Sequence, residues 1–170
     1  MHIEDHIRDI PDFPKQGIVF KDITPLLGNP TAFTETAQAL QQLVGDQPID
    51  KVVGIESRGF FFGTLLAQHF GAGFVPVRKH GKLPYDRYTQ SYDLEYGTDA
   101  IEMHQDAIQE GDRVLLHDDV LATGGTAAAA VKLIEQAGGK VIQCNFLLEL
   151  SFLQGREKLP GYSIAALQTY

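Results

Sequence analysis

Val114-Leu115-Leu116-His117-Asp118-Asp119-Val120-Leu121-Ala122-Thr123-Gly124-Gly125-Thr126 is where this sequence could do chemistry. An apolar run leads into two adjacent carboxylates, and a turn with two glycines then opens a helix-forming stretch. Gly124 and Gly125 let the backbone curl so that successive N–H groups converge on one point. The helix that follows adds its positive N-terminal end. Thr123 and Thr126 add hydroxyl donors. This is a phosphate cradle without a lysine, which suits a terminal monophosphate. Neither GxxxxGK[ST] nor GxGxxG occurs in the chain. Carboxylates would repel a phosphate, but they suit a sugar whose hydroxyls they can accept from. A ribose 5-phosphate meets both requirements. An isolated Asp-Asp or Gly-Gly would more often be a solvated strand-end turn, but thirteen residues in this order are far more specific.

The elements that must position this loop alternate. Thr31 to Val44 reads as a helix, with Phe33, Ala37, Leu40 and Val44 on one face. Val52 to Ile55 is a short apolar strand, Gly59 to Phe70 a helix closed by Gly71, and Phe74 to Val77 a strand. Val114 to Leu116 is a strand before the cradle, Thr126 to Ala137 a helix, and Val141 to Leu148 and Ile164 to Leu167 further strands. Alternation of this kind predicts an α/β fold with a central, mostly parallel sheet flanked by helices and a ligand at the strands' carboxyl ends. The whole chain, 1–170, reads as one domain. Residues 1–30 carry many turn signals and read as a small hood or wrapping arm. Residues 78–95 are the most polar stretch, either a solvated connection or a flexible lid loop.

Composition narrows the function. A net charge of −8 over 170 residues speaks against a nucleic-acid or anionic-membrane binder, while leaving room for a local basic site. The single cysteine, Cys144, rules out an intrachain disulfide or a CxxC metal site. No stretch approaches a membrane span, and the start lacks the pattern of a signal peptide, so the expected location is cytoplasmic. Ser57-Arg58-Gly59, between a strand and a helix, offers a hydroxyl, a guanidinium and helix N–H groups to an anion. Arg78, Lys79 and Lys82 form a positive cluster in an acidic chain, as solvated loop charges or as a second anion site. Phe60, Phe61 and Phe62 are adjacent on one helix, so at least one must meet another layer or another subunit.

The cradle resembles the signature of the type I phosphoribosyltransferases, which use 5-phosphoribosyl 1-pyrophosphate (PRPP). Three further segments resemble those that act on adenine. These are Phe13 to Leu27, Val53 to Phe60, and Pro76 to Pro84 with Tyr92 to Gly97; the resemblance runs from about Ile10 to Leu159. It implies the fold of that family and conversion of adenine and PRPP to AMP and pyrophosphate. It places the ribose and 5′-phosphate at Asp118, Asp119, Ala122, Thr123, Gly124, Gly125 and Thr126. Pyrophosphate falls at Ser57, Arg58, Arg78, Lys79 and Lys82. Adenine falls at Val19, Phe20, Lys21 and Arg58, although Val19 and Phe20 taken alone read rather as core residues. Arg58 and Glu95 are the implied catalytic groups, Glu95 as a general acid for adenine. Mg²⁺ arrives with PRPP, and the family's members form homodimers. The chain departs from the pattern at His117 and Asn145, where apolar residues are expected, and at the lid tip Tyr85-Asp86-Arg87-Tyr88. The alternatives are an enzyme for a 6-oxopurine (hypoxanthine, guanine or xanthine) and a regulator that binds PRPP without turnover. The acidic charge and the lack of a second domain speak against the regulator.

Overall fold

Apolar alternation and glycine-marked ends set most elements of the computed structural model, which describes residues 2–94 and 97–170. The chain divides into two compact units, Met1–Ala39 and Leu40–Tyr170. The first is therefore longer than the hood read from turn signals, because a long helix runs on past residue 30.

In the first unit, β1 (Arg8–Pro11) and β2 (Val19–Asp22) pair antiparallel, with Arg8 opposite Asp22 and Pro11 opposite Val19. Gly17, at φ 86°, donates its N–H to Asp12 Oδ1 at 2.7 Å and tightens the connection. The Asp22 carboxylate accepts from the Thr24 N–H and hydroxyl, both at 2.9 Å, at the start of α1 (Thr24–Gly28). Gly28-Asn29-Pro30 then ends one helix and starts the next. Asn29 Oδ1 accepts from the N–H groups of Thr31 and Ala32, and Pro30 fits the first position, where no N–H is needed. Helix α2 (Pro30–Val44) buries Ala37, Leu40 and Val44 of the predicted stripe and leaves Phe33 half-buried.

The second unit is a seven-stranded sheet ordered β5-β6-β4-β3-β7-β8-β9. Its strands are β3 (Lys51–Ile55), β4 (Gly73–Lys79), β5 (Arg87–Asp93), β6 (Thr98–His104), β7 (Arg113–Leu121), β8 (Lys140–Glu149) and β9 (Ile164–Thr169). The pairs β3–β4, β3–β7, β7–β8 and β8–β9 are parallel, and β4–β6 and β5–β6 antiparallel. Helix α3 (Gly59–Phe70) packs on β3, β4 and β7, and α4 (Gly125–Gln136) on β5, β6, β7 and β8. The period of two divides the buried strands between two faces. Val53, Ile55, Val75, Val77, Val114, Leu116, Cys144 and Phe146 form one core with α4's Ala127, Ala130, Val131 and Ile134. Burial pushes the Cys144 thiol up to about 12, leaving it inert at neutral pH. Asp50 ties the starts of β3 and β7 by accepting from Arg113 Nε and Nη2 at 2.7 Å and from its N–H at 2.8 Å.

Two readings change. The polar stretch 78–95 is not loop throughout: β4 runs to Lys79 and residues 87–93 are strand β5. Tyr88 and Tyr92 turn inward from β5 against the core, so a strand buried on one side needs few apolar residues. In addition, β7 continues through Asp118 and Asp119 to Leu121, five residues past its predicted end. The three phenylalanines separate as expected. Phe62 is buried, Phe60 meets Phe74 edge-on at 5.7 Å, and Phe61 stays 43% exposed.

Candidate active site

The acidic pair sits on the carboxyl half of β7, held as strand by pairing to β8. Asp119 is almost fully buried and accepts a charge-assisted hydrogen bond from Arg58 Nε. Arg58 caps α3, and that helix starts very close to β7. A Cβ on Gly59 would lie 2.9 Å from the His117 carbonyl oxygen and 3.0 Å from Asp118 Oδ1. The glycine of Ser57-Arg58-Gly59 is thus needed for close approach, which is what lets Arg58 reach Asp119. Asp118 accepts the Asp119 N–H at 2.8 Å. Burial, and next the negative charge of Asp119, push its carboxyl well above the usual carboxylate range. The pair thus offers one carboxyl biased to keep its proton and one carboxylate paired with arginine.

The cradle follows. Gly124, at φ 81° and ψ −5°, is the left-handed residue that turns the chain into α4. Its backing was not anticipated from the sequence. A Cβ on Gly124 would lie 2.3 Å from the Gly155 oxygen, and one on Gly155 would lie 2.3 Å from the Ala122 oxygen. Two glycines therefore press the turn 122–124 onto a short 3-10 turn, Gly155–Lys158. That turn is fixed by Arg156, which donates from Nε and Nη2 to the buried Glu149 carboxylate, both at 2.6 Å. Gly155 followed by charged residues looks like a surface turn in sequence, so nothing local marked it. Thr126 lies in the first turn of α4, which packs on β5, where the Tyr92 hydroxyl donates to Asp99 at 3.2 Å.

Of the positive cluster, Arg78 and Lys82 meet on one carboxylate, while Lys79 Nζ lies 3.9 Å from Asp99. Glu56, at the end of β3, accepts from Lys82 Nζ, from the Lys79 N–H at 2.9 Å and from Arg78 Nε at 3.3 Å. These donors hold the Glu56 carboxyl below its usual range, against the opposing effect of burial. Behind them, the buried Glu102 accepts from the Gly81 N–H at 3.0 Å, Arg87 Nε at 3.1 Å and His80 Nδ1 at 2.7 Å. The turn that carries Lys82 is therefore anchored at both ends. Ser57 is exposed beside Arg58.

The two buried departures meet each other. His117 Nδ1 donates to Asn145 Oδ1 at 3.0 Å, and Asn145 Nδ2 donates to Gln143 Oε1 at 3.2 Å. Burial lowers the His117 imidazole to about 4, so it is neutral at physiological pH. Within the first unit, Val19 is exposed, Phe20 meets Phe13 edge-on at 5.3 Å, and Lys21 Nζ bonds Asp9 Oδ1 at 2.7 Å. Glu95 lies outside the described residues. Among the described residues, no group of three or more His, Cys, Asp or Glu could hold a metal ion, and no helix is long and apolar enough to cross a membrane.

Residues 22–158 match the phosphoribosyl transferase domain family. The chain is 62% identical, over its full length and that of its relative, to an adenine phosphoribosyltransferase of Flavobacterium johnsoniae. The crystal structure of adenine phosphoribosyltransferase from Rhodothermus marinus superposes with a TM-score of 0.95 at 57% identity, covering 99% of this chain and 96% of that one. The enzyme of Saccharomyces cerevisiae, solved with an imino-altritol bisphosphate and adenine, superposes with a TM-score of 0.92 at 43% identity, covering 97% and 96%. By fold, by the order of its site segments and by identity along its whole length, this chain belongs to the phosphoribosyltransferases, among the adenine phosphoribosyltransferases.

Proposed function

We propose that this chain transfers the phosphoribosyl group of PRPP to adenine, giving AMP and pyrophosphate. The observation that carries the reading is the end of β7. Two carboxyl groups, one paired with arginine, are followed after Val120 to Thr123 by a left-handed glycine that opens a helix. A sugar and its terminal phosphate need those groups in that order.

The roles follow from the chemistry. N–H groups of residues 123–126 hold the 5′-phosphate, and Asp118 and Asp119 bond the ribose hydroxyls. The C1–O bond to pyrophosphate breaks with its electron pair leaving on oxygen, and positive charge builds on the sugar. A carboxylate beside the ribose, as proposed for Asp119, would favour that cation. Ser57, Arg58, Arg78, Lys79 and Lys82 take up the charge of the departing pyrophosphate. A ring nitrogen of adenine forms the new bond to C1 and its proton is released. Val19, Phe20 and Lys21, with Arg58, are the proposed adenine contacts, and Glu95 its general acid. The carboxylates and phosphate oxygens suit Mg²⁺, which prefers hard oxygen ligands and would neutralise pyrophosphate charge when bound. We further infer a homodimer that uses the exposed Phe61 face of α3.

The test is to supply Mg²⁺ and PRPP with adenine, hypoxanthine, guanine or xanthine separately and follow nucleotide by chromatography. AMP from adenine alone is expected. Product from a 6-oxopurine instead would discard the base assignment, and no product with any base would discard the activity.

A further inference from the structure

Two of the cations assigned to pyrophosphate, Arg78 and Lys82, already share an anion. One Glu56 carboxylate accepts from Lys82 Nζ and Arg78 Nε and from the Lys79 N–H. Its own side chain is 9% exposed, while those of Arg78 and Lys82 are 36% and 46% exposed. The carboxylate thus lies beneath the cations, and the cations face solvent. A negative charge at this place opposes the binding of pyrophosphate. It also keeps the cations paired when no ligand is present.

We propose that Glu56 is an internal counter-ion, which pyrophosphate must displace from Lys82 and Arg78 and which takes them back when pyrophosphate leaves. The proposal rests on the assignment of these residues to pyrophosphate above. The geometry separates a fixed part from an exchanging part. The Lys79 N–H belongs to the end of β4, so its bond to Glu56 persists and holds the carboxylate in place. Lys82 lies outside the strand on a long, flexible side chain whose ammonium can turn from Glu56 to a ligand. The same arrangement recurs at Arg58, whose guanidinium is held by the site carboxylate Asp119. A reaction that must stabilise pyrophosphate as it departs and then release it gains from a carboxylate that reclaims its cations. Binding energy that persisted in the product complex would slow turnover.

The test is titration calorimetry of pyrophosphate, with and without Mg²⁺, into the wild-type chain, Glu56→Gln, Lys82→Met and the double variant. Glutamine keeps an acceptor for the Lys79 N–H and loses the charge. Glu56→Gln is expected to bind pyrophosphate about tenfold more tightly, the effect of roughly one like charge removed beside the ligand. The gain should shrink in the Lys82→Met background, since that cation is then no longer there to be released. A damaged site would weaken binding, so tightening is not a result that misfolding can imitate. Unchanged or weaker binding in a Glu56→Gln chain of wild-type melting temperature overturns the proposal. If that variant does not fold, Glu56→Asp, which withdraws the carboxylate by one methylene, is expected to tighten binding by a smaller factor, and no tightening overturns the proposal. Weakening by Lys82→Met with no response at Glu56 would sink the counter-ion and leave the pyrophosphate assignment standing. No binding by the wild-type chain would sink both.

Discussion

At Gly155 a single hydrogen decides whether the cradle can close. Its φ is not in the left-handed region, so backbone freedom is not the reason for glycine there. The reason is space: an added Cβ would stand 2.3 Å from the Ala122 oxygen. Gly155→Ala should therefore push the 122–124 turn off its support, costing about 1–3 kcal/mol and weakening PRPP. Gly161→Ala is the matched control. Gly161 has φ 83° and open space around it, so alanine there adds only backbone strain of about 1–2 kcal/mol. Thermal unfolding should show a loss in both variants, whereas PRPP affinity should fall only in Gly155→Ala. Equal affinities would remove Gly155 from the site. Asp118 argues at the same scale. Its folded pKa is raised, so the stability it allows is full below its unfolded value and is lost as pH rises through the folded value. Asp118→Asn mimics the protonated form and should flatten that alkaline limb of a urea-midpoint profile while abolishing turnover. A limb unchanged by the substitution would show that Asp118 is ionised in the fold.

At the scale of elements, one rung between β7 and β8 sets two fully buried polar residues, His117 and Asn145, opposite each other. His117 and Asn145 were each readable as anomalies, yet their contact was not. Their register, His117 opposite Asn145, depends on a bulge after Val114 that no local pattern announces. The consequence is a pH dependence of opposite sign to that of Asp118. The His117 pKa falls from 6.5 to about 4 on folding. The stability this gives is full above 6.5 and is lost as pH falls toward 4, about 3 kcal/mol in all by linkage. His117→Val should remove that acid limb and strand Asn145 Oδ1, at about 1–3 kcal/mol near neutral pH. His117→Val with Asn145→Val should cost less than the sum of the two single changes. Strict additivity, or an acid limb that survives the substitution, would deny the coupling. Strands β3, β4, β7, β8 and β9 and the long helices were legible because their apolar spacing is local. Strand β5 was not, because Tyr88 and Tyr92 bury only one side of it and its polar residues alternate between them. The backing by Gly155 was equally hidden, since a close approach between distant segments leaves no mark in spacing.

At the scale of the molecule, charge and apolar surface lead in different directions. A net charge of −8 keeps copies of the chain apart at long range. Salt screens that repulsion beyond about 8 Å at physiological ionic strength, so a short-range apolar contact can still win. Phe61 supplies one. Its neighbours on α3 are accounted for, Phe62 in the core and Phe60 against Phe74, while Phe61 is 43% exposed. This also separates two substitutions that sequence alone treats alike. Phe62→Glu would put a charge into the core and unfold the chain, so it says nothing about association. Phe61→Glu leaves the core intact and should hardly change the melting temperature of the monomer. In sedimentation velocity it should move a dimer toward the monomer position, and raised salt should recover part of the dimer by screening the added charge. A Phe61→Glu chain that sediments as the wild type does at every concentration would remove this face of α3 from any interface.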